Sequence, residues 1–193
     1  MIPPNFNLPN KKSNQFLNPH KLPQGQTVVR ILSEKLIEGF VFFDKNNRPH
    51  RRKIVRDENG NIQKECFVSD EEAAQLECRR NDKGTFEIKY FWLFAVYHYE
   101  SASFKAMEIT QKSLIKGLMQ IFQTEHPKQK GVFPYANPIE YDVVFIRQGE
   151  GMNTSYSVMR LDKEPLEQSI VDTFESLNCD LEAVFRNEYP FSI

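Results

Sequence analysis

The sequence predicts a mainly β fold, a small antiparallel barrel carrying one inserted helix and an acidic C-terminal helix. Three observations lead there. Short runs of β-branched and aromatic residues recur between polar turns; they come as adjacent, turn-linked pairs; and only three segments carry a helical pattern.

The elements follow in order. Thr27–Leu32 is β-branched, a strand. Phe40–Phe43 is the next, followed by the polar turn Asp44-Lys45-Asn46-Asn47 and the basic strand His50–Val55. Ser69-Asp70-Glu71-Glu72 opens a short helix, 70–79, with Ser69 as N-cap and Glu72 completing a capping box. Phe86–Tyr99 reads as one long strand and Phe104–Ile109 as its partner. Thr110 caps a helix whose Leu114, Ile115, Leu118, Met119, Ile121 and Phe122 form one stripe. Residues 124–139, with Pro127, Gly131, Pro134 and Pro138, are a loop. Tyr141–Arg147 and Thr154–Met159 form a hairpin, and an acidic helix occupies about 164–178. Paired strands of this kind imply antiparallel pairing, and a small closed or half-closed barrel with a helix between strand pairs is the economical solution, of which the five-stranded oligonucleotide-binding barrel is the best-populated example.

The chain divides into three parts. Residues 1–25 hold five Pro and five Asn with no period, which predicts an extended or disordered arm; Phe6, Leu8, Phe16 and Leu17 are its apolar docking points, on the body or on a second subunit. Residues 26–160 form the body. Residues 161–193 form an acidic helix and tail, with eight acids against two bases, a charge of −6; the rest of the chain carries +5, so the overall −1 hides a split. Between 45 and 56 stand Lys45, Arg48, Arg51, Arg52, Lys53 and Arg56 with no acid among them.

Composition excludes several classes. At 193 residues with 40% hydrophobic residues the chain has one sizeable core, and no apolar run reaches the roughly 18 residues of a membrane helix. The N-terminus lacks a signal-peptide pattern, so a cytoplasmic protein is expected. Three Cys without a CxxC pair fit a reducing compartment. The four His are scattered, and no GxSxG elbow, GxxxxGK[ST] or GxGxxG cradle occurs, so neither an enzyme nor a cofactor is expected. Cys66, Cys78, His50 and His98 lack the close pairs of structural zinc, so no metal is expected either.

The informative feature is aromatic residues interleaved with bases. Tyr90–Tyr99 is apolar on both faces, Trp92, Phe94, Val96 and His98 on one and Phe91, Leu93, Ala95, Tyr97 and Tyr99 on the other. A core takes one face. The second needs either a helix over it or a ligand that stacks, since exposed aromatic rings hold nucleobases at ~1–3 kcal/mol each while bases track phosphates. For the basic strand the plain alternative is a solvated edge with protective charges. On this reading the phosphate track comprises Arg30, Arg48, Arg51, Arg52, Lys53, Lys105, Arg147 and Arg160, and the stacking set comprises Phe42, Phe43, Trp92, Tyr97, Tyr99 and Tyr156.

Val29-Arg30-Ile31-Leu32-Ser33, Gly39-Phe40-Val41-Phe42-Phe43 with Arg48-Pro49, Phe91–Tyr97, Met107–Ser113, and Tyr141-Asp142-Val143-Val144 with Gly149–Tyr156 resemble single-stranded-DNA-binding proteins of tailed bacteriophages and prophages. The resemblance covers about 26–160, and extends more distantly to the helix-destabilising protein of T-even phages. It implies an oligonucleotide-binding barrel, sequence-independent binding of single strands in replication or recombination within the bacterial host cytoplasm, and an acidic tail that recruits partner proteins. At the family's GWxYW-like position this chain has Phe in place of Trp, which preserves stacking. The distant relative's zinc site has no counterpart here, and its basic arm has a faint echo in Lys11-Lys12-Ser13. An RNA-binding barrel and a protein-interaction module remain the alternatives.

Overall fold

The computed structural model describes residues 15–192. Its strands are β1 (Phe16–Leu17), β2 (Gly25–Ile31), β3 (Ile37–Phe43), β4 (Pro49–Lys53), β5 (Lys89–His98), β6 (Ser103–Ile109), β7 (Tyr141–Gln148), β8 (Ser155–Lys163), β9 (Asn178–Cys179) and β10 (Phe191–Ser192). The helices are α1 (Asp70–Gln75), α2 (Lys112–Phe122) and α3 (Gln168–Ser176). The fold is mainly β, with β1–β8 in one mixed sheet and β9–β10 in a small second one.

Strand β5 is the hub. β6 runs along one edge of it. The other edge is shared, with Ile37–Val41 of β3 opposite Leu93–Lys89 and Val29–Ile31 of β2 opposite His98–Val96. Between β2 and β3 the ladder is bridged locally. Leu32 N donates to Ala95 O at 2.8 Å, and Ser33 Oγ accepts from Ala95 N at 3.2 Å, so β2 and β3 behave as one long bent strand. Gly39 is required at the crossing, because a Cβ there would lie 2.5 Å from the Phe91 ring. From β2 the sheet continues through β7 to β8; from β3 it continues to β4. Among the described residues the ends at β1, β4 and β8 do not pair with one another, so of the closed or half-closed barrel expected, the sheet is not the closed form.

The apolar faces of β5 are both covered by protein. Trp92, Phe94 and Val96 pack under α2 with Leu114, Ile115 and Leu118, and Trp92 stacks on Phe122 at 6.4 Å. Phe91, Leu93, Ala95 and Tyr97 pack against Ile170 of α3 and against Leu181, Val184 and Phe191 further on. Each large apolar side chain buried this way contributes ~1.5–3 kcal/mol. The acidic segment is therefore part of the body: its acids face water while its apolar residues close the second core.

Boundaries moved for local reasons. β3 starts at Ile37 and β4 stops at Lys53. α1 ends at Gln75 because Glu77 turns left-handed at φ 51°. Ser69 caps α1 by accepting from Glu72 N, whereas the Glu72 carboxylate leaves the capping box for Arg52. α2 begins at Lys112 with Gln111 as N-cap, not Thr110. β8 runs on to Lys163. In the segment read as an arm, Phe16–Leu17 adds to β6 as a parallel strand; Phe6, Leu8, Lys11 and Lys12 lie outside the described residues. No helix among the described residues is long and apolar enough to cross a membrane.

His98 ends β5 with 8% exposure, its Nδ1 2.7 Å from Ser101 Oγ. Burial lowers its pKa from the ordinary 6.5, so the folded chain holds fewer protons there than the unfolded chain. His20 is shifted the same way, chiefly by burial. The stability this confers is complete above the unfolded value and lost as pH falls through the window below it. Thermal unfolding should therefore drop in Tm as pH falls from neutral towards the carboxylate range, and less in His98→Gln than in the wild type. Equal drops in the two proteins would contradict the assignment.

Candidate nucleic-acid interface

The basic strand is neutralised by acids distant in sequence. Arg51 Nε lies 2.6 Å from Glu108 of β6, with both side chains about one-tenth exposed. Arg52 pairs with Glu72 of α1, and Lys53 Nζ lies 2.5 Å from Glu182 of the C-terminal segment. Arg56 grips Glu38 of β3 through two nitrogens, and this hydrogen bonding holds the Glu38 carboxyl below its ordinary pKa. These charges that looked unopposed locally knit β4 to three other elements, and the residues after it to β3.

The other expected phosphate contacts are largely committed as well. Arg30 is 1% exposed. Its Nε donates to Asp142 at 2.6 Å, and Nη1 reaches the carbonyls of Ile139 and Glu164 at 3.2 and 3.1 Å. Tyr99 Oη donates to the same Asp142 oxygen at 2.9 Å. Lys105 is buried at 4% exposure, which lowers its pKa. Arg147 donates to Leu22 O at 2.6 Å, and the Arg160 guanidinium lies 3.4 Å from the Tyr135 ring centre. Arg48 alone of the eight has an exposed side chain with no ion-pair or hydrogen-bond partner among the described residues.

Burial also revises the stacking set. Phe42, Trp92 and Tyr97 are 3%, 5% and 6% exposed and belong to the core. Their rings are shielded on both sides, so a base has no face to meet. Tyr156 packs partly against the α2 core, and the Tyr99 hydroxyl is held by Asp142. Phe43 is half-buried, with the Arg79 guanidinium 5.6 Å from its centre, and it lines a cleft.

That cleft is the site the structure offers. It is an open depression of about 790 Å³ between β1, β4, the end of β6 and the C-terminal segment. The turn read from Asp44-Lys45-Asn46-Asn47 builds one wall. Asp44 Oδ1 accepts from the backbone N–H groups of Asn46 and Arg48 at 2.8 and 2.9 Å, and this Asx turn presents Arg48 to the opening. His50 sits beside it, its ring stacked on Phe42 at 5.6 Å. The opposite wall is a 3₁₀ turn, Pro19–Lys21, set by proline at its start and followed by buried Leu22, which presents His20 and Lys21. Phe16 and Arg51 form the floor, the guanidinium 5.5 Å from the ring centre. The two acids lining the cleft, Glu108 and Glu188, already hold Arg51 and Arg186. Glu188 shares Arg186 with Asp180. The lining itself, Lys21, Arg48 and Arg51 against Glu108 and Glu188, carries a net +1 with histidine neutral, and Lys21 and Arg48 are its cations without an ion pair among the described residues.

Of the expected residues, the fold brings together Phe43, Arg48 and Arg51 and disperses the rest. Phe16, His20 and Lys21 were missed as site residues. The signals were Phe16 as an apolar docking point and the rigid Pro19-His20-Lys21 turn. Among the described residues no group of His, Cys, Asp or Glu is gathered to hold a metal ion.

Removing one partner of a shielded pair strands the other. Arg51→Ala should cost about 3–5 kcal/mol by leaving Glu108 buried and unpaired. Lys53→Ala, on an exposed pair, should cost under about 1 kcal/mol. Urea unfolding of the two variants measures the difference, and equal losses would contradict it.

Comparison with protein-family models, with curated proteins and with solved structures finds no match.

Proposed function

We propose that this chain binds single-stranded nucleic acid, DNA in the setting the resemblance implies, without reading sequence, through the cleft between β1 and β4. The observation that carries the reading is the meeting of two cations without an ion pair among the described residues, Lys21 and Arg48, with the rings of Phe16 and Phe43 in one open depression. A single strand needs both, cations for its phosphates and ring faces for its bases. His20 and His50 add hydrogen-bonding groups on either wall.

The topology supports the same reading. With β2–β3 counted as one bent strand, β5, β6, β7 and β8 follow as the second to fifth, and α2 stands between the third and fourth. Oligonucleotide-binding barrels of five strands are partly open, and they bind on the second and third strands and the loops beside them. The cleft takes Glu108 from the third strand and Arg48, His50 and Arg51 from the connection between the first and second. The gap left open here lies between β8 and β1, which borders β6. Handling of single strands during phage or prophage replication or recombination is the role we infer.

Affinity for oligo-dT should fall steeply with salt. The double variant Lys21→Ala/Arg48→Ala should bind more weakly, with a salt slope reduced by about 1.4, since a single strand releases ~0.7 counterion per neutralised phosphate. Matching duplex and oligo-U serve as comparison ligands. An unchanged slope would remove the cleft from the interface, and equal binding to duplex would reduce it to a general basic surface.

A further inference from the structure

Strand β8 is nine residues long and pairs with β7 alone among the described strands. Its outer edge is uncovered, and the guards it carries, the charges of Arg160, Asp162 and Lys163 and a register shift against β7 between Tyr141 and Val143, are confined to its C-terminal end. Ser155–Lys163 contains no proline or glycine, no helix or loop hydrogen-bonds to its backbone from outside, and the one outside contact to a backbone group is Arg160's own Nη1 on Leu161 O at 3.4 Å. Long uncovered edges are templates for another strand. The surface beside the edge is apolar. In register across the sheet, Val28 lies opposite Val144 and Val144 opposite Met159, and the row ends in water at Met159, 46% exposed, beside Leu161, 38% exposed. From below, Val158 packs onto Gly117 of α2, where a Cβ would lie 2.5 Å from Val158 Cγ1, so the edge strand is held against a helix.

The charges on the edge suit a second copy. Arg160 and Asp162 alternate along one face, with Asp162 fully exposed and its carboxylate 3.9 Å from Arg160. An antiparallel partner strand centred on Leu161 sets Leu161 against its own equivalent. The same register places Arg160 opposite the second copy's Asp162 and Asp162 opposite its Arg160. Cross-strand pairs of opposite charge favour that register, and a two-fold axis makes both pairs at once.

From the uncovered edge, the apolar row that stops at it and this self-complementary pair of charges, we infer that two copies of the chain associate through antiparallel pairing of their β8 strands, joining two sheets into one. The pairing is independent of the nucleic-acid cleft, which lies at β1 and β4.

The test is sedimentation of the full chain across micromolar concentrations without nucleic acid. The wild type should form a dimer. Asp162→Lys, which sets Lys against Arg at both rungs, and Leu161→Lys, which buries a charge at the axis, should each weaken the dimer by at least about tenfold in Kd. Both positions are exposed, and unchanged thermal unfolding will confirm that each variant folds. Arg160→Glu should also be monomeric, and mixing it with Asp162→Lys should restore a heterodimer, because opposite charges then meet at both rungs. A monomeric wild type would overturn the proposal. So would a dimer indifferent to these substitutions, which would place the contact elsewhere.

Discussion

Strand β5 is apolar on both faces, and the rest of the molecule is arranged to keep water from them. A strand with one apolar face can lie on the surface of a sheet; one with two must be sandwiched. Helix α2 supplies one cover and the segment from α3 to β10 supplies the other. The two covers come from opposite sides of the β7–β8 hairpin in sequence, so the second face of β5 is sealed by chain that returns from beyond that hairpin. The acids crowded into residues 161–193 follow from this. They occupy the outward side of a segment whose inward side is core.

The same sandwiching changes what charges mean. With both faces of the sheet covered, cations on its strands come to lie against other elements, and each needs a partner where it is shielded. Arg30 has Asp142 and two carbonyls, and Arg51 has Glu108. These pairs are held in place more by the cost of breaking them than by net gain from forming them. They also fix relative positions, because Arg30 joins β2, β7 and the end of β8 at a single guanidinium. Among the side chains lining the β1–β4 cleft, Lys21 and Arg48 are the cations left without an acid of their own, and the proposed site rests on that pair.

Much of the fold was legible because it is written in local patterns. Alternation and turn residues marked β2 to β8 to within a few residues, and the apolar stripe of 114–122 marked α2. The doubly apolar character of 90–99 was also visible, and with it the choice between a second cover and a stacking ligand. That choice could not be made locally, since the cover lies some 80 residues downstream and looks like a polar, acidic tail. For the same reason the site was only partly legible. Arg48 stood out beside Arg51, Arg52 and Lys53, but their acids come from β6, α1 and the C-terminal segment, at separations of 57, 20 and 129 residues. Ring burial followed the same rule: Phe42 and Phe43 are adjacent in sequence, yet the alternation of the strand buries one and leaves the other at the cleft.

The most direct measurement of the central claim, that the aromatic strand is core and the ligand lies in the β1–β4 cleft, is amide hydrogen exchange with and without oligo-dT. The account predicts added protection at 16–21 and 43–51, with the backbone of β5 slow to exchange in both states. Rapid exchange along β5 in the free protein, or protection by oligo-dT confined to the β7–β8 hairpin, would contradict it.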